Sequence, residues 1–250
     1  VAMTGDGVND LLALREADCS IAVAEGSDAA RQIAQVVLLD SDFSALPDVL
    51  AQGRRVVNNI TRVAGVFFVK TIYSVLLSIM CLLLNIPFPL IPIQVTLIDL
   101  IIEGYPAFFM SFEPDGSKVT GRFLPTVLRR AAPNAVAILA CFLILPAVPV
   151  SAAQGAAVFY LLVGTVGIMA VFKASRPMNR LRAFLCATMT LGFYAAVLLF
   201  HSLLRVEPLV MTNLPLFIGL ALVSFLIERG AAMLIKRFDA RESAGAANLS

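Results

Sequence analysis

The sequence predicts an α-helical membrane protein with six transmembrane helices, preceded by part of an α/β domain. Hydrophobic residues make up 59% of the 250 residues and charged residues 14%, against about half and about a quarter in ordinary soluble domains. The mean hydropathy of +0.88 excludes a purely soluble enzyme. The net charge is only +2, and the basic residues are spread between apolar segments, so we expect no nucleic-acid partner.

The six predicted membrane spans follow an N-terminal segment of ordinary soluble composition that ends near residue 58. Each span is close to the ~20 apolar residues that a bilayer crossing needs. Prolines cluster at the junctions between them, where a missing N–H group ends a helix at little cost. The apolar stretches lie near 62–84, 90–111, 130–150, 155–173, 182–204 and 212–235.

The basic residues predict the orientation of these spans. They lie mainly after the second and fourth spans and after the last one, whereas the alternate connections carry almost none. Segments rich in Lys and Arg face the cytosol in multi-pass membrane proteins. We therefore expect a multi-pass protein in a lipid bilayer, the plasma membrane, with both ends of the chain in the cytosol.

Residues 1–43 have the pattern of a βαβαβ unit. Short strands are predicted near 1–3, 20–24 and 36–39, and a helix from about 9 to 17. In such sheets, ligands bind beyond the carboxyl ends of the strands. The sequence TGDGVND occupies that position after the first strand.

The acidic residues of this loop, Asp6 and Asp10, lie four residues apart at a strand-to-helix turn. Two carboxylates aimed at one point suit Mg²⁺ bound together with a phosphate group. Gly5 permits a tight turn, and Asn9 offers a donor to a phosphoryl oxygen. The alternative is an Asp- and Asn-containing turn that only caps the helix.

The segments MTGDGVND, ALREAD, SIAVAEGSDAARQIAQVVLLDSDFSAL and GRRVVNNI together resemble the end of the phosphorylation domain and the stalk of P-type cation-transporting ATPases. The family often has Ala-Pro after GDGVND, where this chain has two leucines. The resemblance implies a haloacid-dehalogenase-like domain, with ATP and Mg²⁺ as cofactors. It implies that Asp6 helps to bind Mg²⁺, and that Asn9, Asp10 and the Thr4-Gly5 turn lie near the aspartate that becomes phosphorylated.

The phosphorylated aspartate itself, in a DKTGT motif, does not occur in these residues, nor do the nucleotide-binding and actuator domains and the first four membrane helices of that family. We therefore expect the coding sequence to continue upstream, and we expect these residues alone to be unable to hydrolyse ATP. The alternative is a truncated, non-catalytic membrane protein with a regulatory or scaffold role.

The resemblance also divides the chain into segments. A long helix from about Ala45 to Leu84 would contain both the stalk and the first span, and the loop from Glu113 to Pro125 would contact that stalk. The predicted segments are the end of the phosphorylation domain (1–43), the stalk (44–61), the core transport helices (62–111), a cytosolic loop (112–129), four C-terminal helices (130–238) and a disordered tail (239–250).

Asp99 and Glu103 are the carboxylates that lie deep inside a predicted span. Each would cost about 2.5 to 3.5 kcal/mol at the bilayer centre without a partner. Their spacing places them on one helix face together with Thr96, and the Gly104-Tyr105-Pro106 sequence can unwind the next turn to free carbonyl oxygens. An all-oxygen site with a charge near −2 suits a divalent cation such as Ca²⁺.

The alternative for this carboxylate pair is structural, because Lys70 on the preceding span could pair with it and hold the helices together. The same span carries a polar stripe of Thr71, Ser74 and Ser78, which would face Asp99. Small hydroxyl residues are also ordinary helix-packing residues in membranes. The sequence leaves both interpretations open.

The segment IPIQVTLIDLIIEGYPAFFMSFEP resembles the sixth helix of calcium-pump-like ATPases, with Asp99 and Glu103 at ion-binding positions. Two-calcium pumps carry an acidic residue where this chain has Ser74, an amide where it has Thr71, and a further acidic residue on the eighth helix, where 155–173 has none. The resemblance therefore implies transport of one divalent ion per cycle, with Thr96, Thr71 and Ser74 as further ligands and Lys70 as a countercharge in the lost second site.

Energetics favour a pump over a channel, because moving a divalent charge outward against 100 mV costs about 4.6 kcal/mol. Outward transport therefore needs a coupled reaction that supplies this free energy. The resemblance implies that the reaction is ATP hydrolysis through an aspartyl-phosphate intermediate. Two carboxylates in a low dielectric do not both stay charged when the site is empty. We therefore expect proton counter-transport.

Overall fold

The computed structural model describes residues 1–119 and 121–247. Within this range the chain divides into two units, an N-terminal unit of residues 1–54 and a helical unit from residue 55 onward. The N-terminal unit contains a three-stranded parallel sheet with strands β1 (Ala2–Thr4), β2 (Cys19–Val23) and β3 (Val36–Leu38) in that order. The predicted small parallel sheet is confirmed.

Two short helices connect these strands: α1 (Leu11–Glu16), preceded by a 3₁₀ turn over Val8–Asp10, and α2 (Asp28–Ile33). The hydroxyl of Ser27 caps α2 by accepting a hydrogen bond from the backbone N–H of Ala30. The helices cover one face of the sheet and form a small apolar core of Leu14, Ala22 and Ala30. The predicted βαβαβ order is present, with α1 shorter than expected.

The remainder of the chain is helical. α3 (Leu46–Leu84) is 39 residues long, and the second span consists of α4 (Pro92–Leu97), a π-helix (Ile98–Gly104) and α5 (Tyr105–Met110). The last four spans are α6 (Phe123–Ile144), α7 (Ala152–Ala174), α8 (Arg180–Leu199) and α9 (Leu214–Ala247). In the described residues, six helices are long and apolar enough to cross a membrane, which confirms the predicted number.

α7 is the central helix of this bundle. The most apolar window of α7 is 72% buried, against 39% or less for the other five spans. Its side chains Phe159 and Tyr160 are almost fully buried, and both belong to the main core together with Phe193 of α8. Because α7 is surrounded by other helices, it is apolar on all sides rather than amphipathic.

Two segment boundaries differ from the sequence prediction. α6 begins at Phe123, so residues 123–129, including Arg129, lie within a helix and not in the predicted loop 112–129. Long basic side chains can extend from a helix toward water, so they do not end it. A disordered tail was expected from residue 239, but α9 continues to Ala247. The Ala, Arg and Glu residues of 239–247 have high helix propensity, which favours this continuation. Residues 248–250 lie outside the described residues.

Gly164 of α7 is required by the close approach of α8. A Cβ atom at this position would lie 2.2 Å from Cζ of Phe193, which is fully buried. We predict that Gly164→Ala lowers the free energy of unfolding by about 1–3 kcal/mol, because the ring must move within a packed core. Thermal unfolding of the purified protein measures this loss.

The matched control is Gly219→Ala on α9, where an added Cβ meets no atom within 4 Å. This variant should unfold at the wild-type temperature or slightly above, because Ala favours a helix over Gly. Equal destabilisation by both substitutions would show that the contact with Phe193 does not matter.

Candidate functional site

Lys70 of α3 lies between the two carboxylates of the second span. Its Nζ atom is 2.6 Å from Oδ1 of Asp99 and 3.7 Å from Oε2 of Glu103. The Glu103 side chain is only 5% exposed, whereas those of Lys70 and Asp99 are 26% and 37% exposed. The ammonium group therefore lies within the predicted ion site and not in a separate lost site, because the long side chain extends from α3 to both acids.

The π-helix Ile98–Gly104 positions both carboxylates. Its wider turns still place Asp99 and Glu103 on the side that faces α3, as their shared contact with Lys70 shows. A Cβ atom on Gly104 would lie 3.0 Å from the carbonyl oxygen of Asp99, so the absent side chain leaves room for the widened backbone. The turn after Glu103 is thus widened and continuous, not unwound as the sequence suggested.

Two buried oxygen atoms at this site have no hydrogen-bond partner among the described residues. They are Oε2 of Glu103 and the hydroxyl of Tyr73, whose residue is only 3% exposed. Tyr73 lies on α3 within electrostatic range of Glu103 and Asp99. Sequence reasoning missed Tyr73, although it lies three residues after Lys70 and therefore on the same side of α3. The carboxylate oxygen has room to accept a proton or a cation beside Lys70, and the tyrosine hydroxyl can offer its oxygen to a cation or donate its hydrogen to an acceptor.

The hydroxyl groups predicted as further ligands make other contacts. Thr96 donates a hydrogen bond to the carbonyl of Pro92, and Thr71 donates one to that of Phe67. Among the residues that the structure describes, these two side chains and Ser74 make no hydrogen bond to Asp99 or Glu103, and no group of three or more His, Cys, Asp or Glu side chains is placed to hold a metal. Their role as ligands stays a prediction.

The loop after the second span binds α3 through polar contacts. The side-chain amide of Asn59 donates hydrogen bonds to the carbonyls of Ser111 and Glu113, at 3.0 and 2.9 Å. Arg62 pairs with Asp115 at 2.6 Å. The hydroxyl of Ser117, with help from Arg62, holds the pKa of Asp115 below its ordinary value. The expected contact between this loop and the long helix is present.

Glu113 also connects this loop to the start of α8. Its carboxylate accepts hydrogen bonds from Nε of Arg182 at 2.7 Å and from the side-chain amide of Asn179 at 2.6 Å. The side chains of Glu113 and Arg182 are each only 7% exposed. Removing one partner of such a buried ion pair leaves the other charge buried without compensation, which strongly destabilises the protein.

The TGDGVND loop of the N-terminal unit is held by backbone contacts. The carboxylate of Asp10 accepts hydrogen bonds from the backbone N–H groups of Asp6 and Gly7, at 3.3 and 3.2 Å. A Cβ atom on Gly5 would lie 2.6 Å from Cβ of Asp10, so only glycine fits there. The carbonyl of Asp6 accepts a hydrogen bond from Ser27 N–H at 2.7 Å. The loop is thereby fixed to the segment that follows β2.

The side chains of this loop differ in how far they are exposed and hydrogen-bonded, and so in whether they can bind a ligand. Asp6 and Asn9 are exposed, and neither side chain makes a hydrogen bond within the described residues. One oxygen of Asp10 is occupied by the loop backbone, as the capping alternative expects. Thr4, the last residue of β1, is also exposed. An exposed carboxylate at the end of a parallel strand fits Mg²⁺ binding by Asp6, with the second oxygen of Asp10 available beside it.

Comparison with known proteins identifies the family. The chain is 42% identical over 257 residues to a probable cation-transporting ATPase, exp7, of Streptococcus pneumoniae, a match that covers 96% of the chain and 32% of the relative. It is 36% identical over 245 residues to the calcium-transporting ATPase CtpE of Mycolicibacterium smegmatis, covering 88% of the chain and 31% of the relative. The chain belongs to the P-type cation-transporting ATPases.

The match to a calcium-transporting ATPase of Bacillus subtilis is shorter, 33% identical over 118 residues, covering 46% of the chain and 13% of the relative. No family model matches the chain. The chain spans about a third of the length of the first two curated relatives.

The buried pair between Glu113 and Arg182 gives a prediction for this P-type ATPase. We expect Glu113→Ala to lower the free energy of unfolding by about 3–5 kcal/mol, because it leaves the guanidinium buried without a carboxylate. The measurement is thermal unfolding of the purified full-length protein.

The double variant Glu113→Leu with Arg182→Met is the control, because it removes both charges together and should unfold closer to the wild-type temperature than the single variant does. If the double variant were as unstable as Glu113→Ala, the uncompensated charge of Arg182 would not be the cause of the loss.

Proposed function

We propose that this chain supplies the ion-carrying helices and a portion of the phosphorylation domain of an ATP-driven pump that exports Ca²⁺, one ion per cycle. The observation that carries the proposal is the pair of intramembrane carboxylates, Asp99 and Glu103, bound to a single lysine on the neighbouring helix. Carboxylate oxygens are the ligands that Ca²⁺ prefers. The name of the CtpE relative as a calcium-transporting ATPase supports the same ion.

The charges of the site support exchange of the ion for a proton. Lys70 neutralises one carboxylate when the site is empty, and its closest contact is with Asp99. The second carboxylate, Glu103, is more deeply buried and its Oε2 atom has no hydrogen-bond partner among the described residues. We propose that Glu103 carries a proton in the empty state, and that Ca²⁺ displaces this proton when it binds to both acids.

The N-terminal unit would contribute the Mg²⁺ site of a haloacid-dehalogenase-like phosphorylation domain. Asp6 would hold Mg²⁺ through its exposed carboxylate, and Asp10 would hold the loop in shape with one oxygen and contribute the other. Mg²⁺ supplies positive charge that stabilises a phosphoryl group during its transfer. Thr4, Gly5 and Asn9 would provide backbone and amide donors to the phosphoryl oxygens at the edge of the sheet.

The alternative function, a non-catalytic regulatory or scaffold protein, has less support. A scaffold would need neither an exposed Asp6 in a loop fixed by glycine nor two acids within the membrane spans. The proposed location is the plasma membrane, with the basic loops and both ends of the chain in the cytosol, because Lys and Arg concentrate on one side of the six spans.

The first test measures ATPase activity of the full-length protein against Ca²⁺, Mn²⁺, K⁺ and Na⁺ at fixed Mg²⁺. We predict stimulation by Ca²⁺, and we predict that Asp99→Asn and Glu103→Gln each raise the half-maximal Ca²⁺ concentration at least about tenfold, because each removes a charged ligand. Glu207→Gln, a change of the same kind in the loop between α8 and α9, should leave stimulation unchanged.

Two outcomes would contradict the proposal. Stimulation by Ca²⁺ that survives both carboxylate substitutions would place the ion site elsewhere. Absence of ATPase activity with every ion, in a preparation whose thermal unfolding is cooperative, would favour the non-catalytic alternative.

The second test concerns Lys70. We predict that Lys70→Met raises the number of protons moved per Ca²⁺ from about one to about two, because both carboxylates must then be neutralised by protons in the empty state. The apparent affinity for Ca²⁺ at high pH should also increase, since the competing ammonium group is gone. Ca²⁺ uptake and internal pH are recorded together in reconstituted vesicles.

Lys70→Arg is the control for this experiment, because it retains the positive charge and should retain the wild-type proton count. Ca²⁺ transport without opposite proton movement at any pH, in the wild type and in both variants, would disprove the proton exchange while leaving the Ca²⁺ assignment intact.

A further inference from the structure

A large basic cavity lies within the helical unit, and Lys70, Asp99 and Glu103 are not among its lining residues. It has a volume of about 980 Å³ and is formed by residues of α3, α6, α7, α8 and α9 and of the connections that follow α5 and α7. Among the residues that the structure describes, its lining contains nine cationic side chains and two carboxylates, Asp115 and Glu228. The cations are Arg62, Lys118, Arg122, Arg129, Arg130, Lys173, Arg176, Arg182 and Lys236.

Acidic partners neutralise only some of this charge. Arg62 pairs with Asp115, Lys173 with Glu228, and Arg182 with Glu113 behind the cavity wall. Five of the lining cations have no ion-pair partner within the portion of the chain that the structure describes: Lys118, Arg122, Arg130, Arg176 and Lys236. These five residues are exposed, and a concave surface lined by one sign of charge concentrates counter-ions of the opposite sign.

The buried wall of the cavity contains unsatisfied hydrogen-bonding atoms of both kinds. Nη1 of Arg62 lies 3.9 Å from Oε2 of Glu113, too far for a hydrogen bond, and has no hydrogen-bond partner among the described residues, although the side chain is only 11% exposed. Oδ1 of Asn134, in a residue 2% exposed, likewise has no donor. Buried polar atoms are rarely left unpaired in proteins. A phosphate group next to a hydroxyl group would satisfy both atoms, since phosphate accepts from Arg62 and the hydroxyl donates to Asn134.

Apolar residues also line this cavity, which favours an amphiphile over a free anion. Val66, Phe123, Ala170 and Ile235 come from four different helices and lie in the lining among the cations. Lys173 and Lys236 lie in the last turns of two apolar stretches, where membrane helices reach the headgroup layer. A free phosphate or nucleotide would gain nothing from these apolar walls, whereas the first methylene groups of an acyl chain would.

We propose that this cavity binds the headgroup of an anionic phospholipid, through a phosphate diester and a headgroup hydroxyl of the kind that phosphatidylglycerol carries. The phosphate lies among the unpaired cations of α6, α9 and the connection after α7, next to Arg62. The acyl chains leave along the apolar wall toward the bilayer. The assignment is independent of which ion the protein transports.

The test measures lipid binding to the detergent-purified full-length protein by native mass spectrometry, titrated separately with phosphatidylglycerol and phosphatidylcholine. The variant Arg176→Gln with Lys236→Gln removes two lining cations that have no ion-pair partner among the described residues. The matched control is Arg180→Gln with Arg237→Gln, because both residues are exposed, basic and close in sequence to the first pair, and neither lines the cavity.

We expect the first phosphatidylglycerol to bind the wild type and the control pair with equal affinity. The lining pair should bind it about thirtyfold more weakly, given the contribution of each Lys or Arg to anionic-lipid binding. Phosphatidylcholine should bind weakly to all three proteins, and inorganic phosphate and glycerol 3-phosphate should compete only at far higher concentration.

Equal weakening in the lining and control pairs would overturn the proposal, because it would show attraction to surface charge in general. Equal binding in all three proteins would overturn it as well. Strong binding of inorganic phosphate without any preference for phosphatidylglycerol would assign the cavity to a soluble anion instead. If the lining pair does not unfold cooperatively, Arg130→Gln with Lys118→Gln replaces it against the same control and is judged by the same outcomes.

Discussion

The contact between Lys70 and the two carboxylates determines what the membrane-spanning bundle can hold. Each acid alone would be costly inside a bilayer, and a single lysine at 2.6 Å from Asp99 and 3.7 Å from Glu103 offsets only one of the two charges. The site is therefore one positive charge short of neutrality. A divalent cation and a proton are two different ways to supply positive charge, and the proposed exchange of one for the other rests on this charge balance.

The backbone of the second span makes this contact possible, and packing around it keeps the backbone in place. The π-helix is widened at Ile98–Gly104, and Ile102 within it is fully buried. A Cβ atom on Gly167 of α7 would lie 3.2 Å from the Ile102 side chain, so the absence of a side chain there admits the widened turn. The central position of α7 thus matters for the ion site as well as for stability, because it holds the segment that carries both acids.

The sequence predicts the features of this structure that depend on local composition, and it does not predict those that depend on packing between distant helices. The six spans follow from apolar length alone, and Lys70 could be foreseen as a partner because it is a cation within an otherwise apolar stretch. The sequence indicated an irregular turn at Gly104, but the π-helix itself could not be foreseen, since its packing also depends on Gly167, more than sixty residues later. Tyr73 was missed because a buried tyrosine on a membrane helix is ordinary until its hydroxyl proves to be unpaired beside Glu103. The exposed hydroxyls of Thr71 and Thr96 donate to backbone carbonyls of their own helices, so their role as ligands stays a prediction.

α3 joins the carboxylate site to the loop that follows the second span. Arg62, which pairs with Asp115, and Lys70, which pairs with Asp99, lie eight residues apart on this helix, which is about 12 Å along its axis. In the proposed pump, a rotation of α3 that withdraws Lys70 from the acids would also turn Arg62, because both residues lie on the same helix. Arg62 lines the basic cavity and lies beside the buried pair of Glu113 and Arg182. Under the proposal, ion exchange at the carboxylates would therefore reach the cavity through α3, and an anion held in the cavity would oppose the rotation.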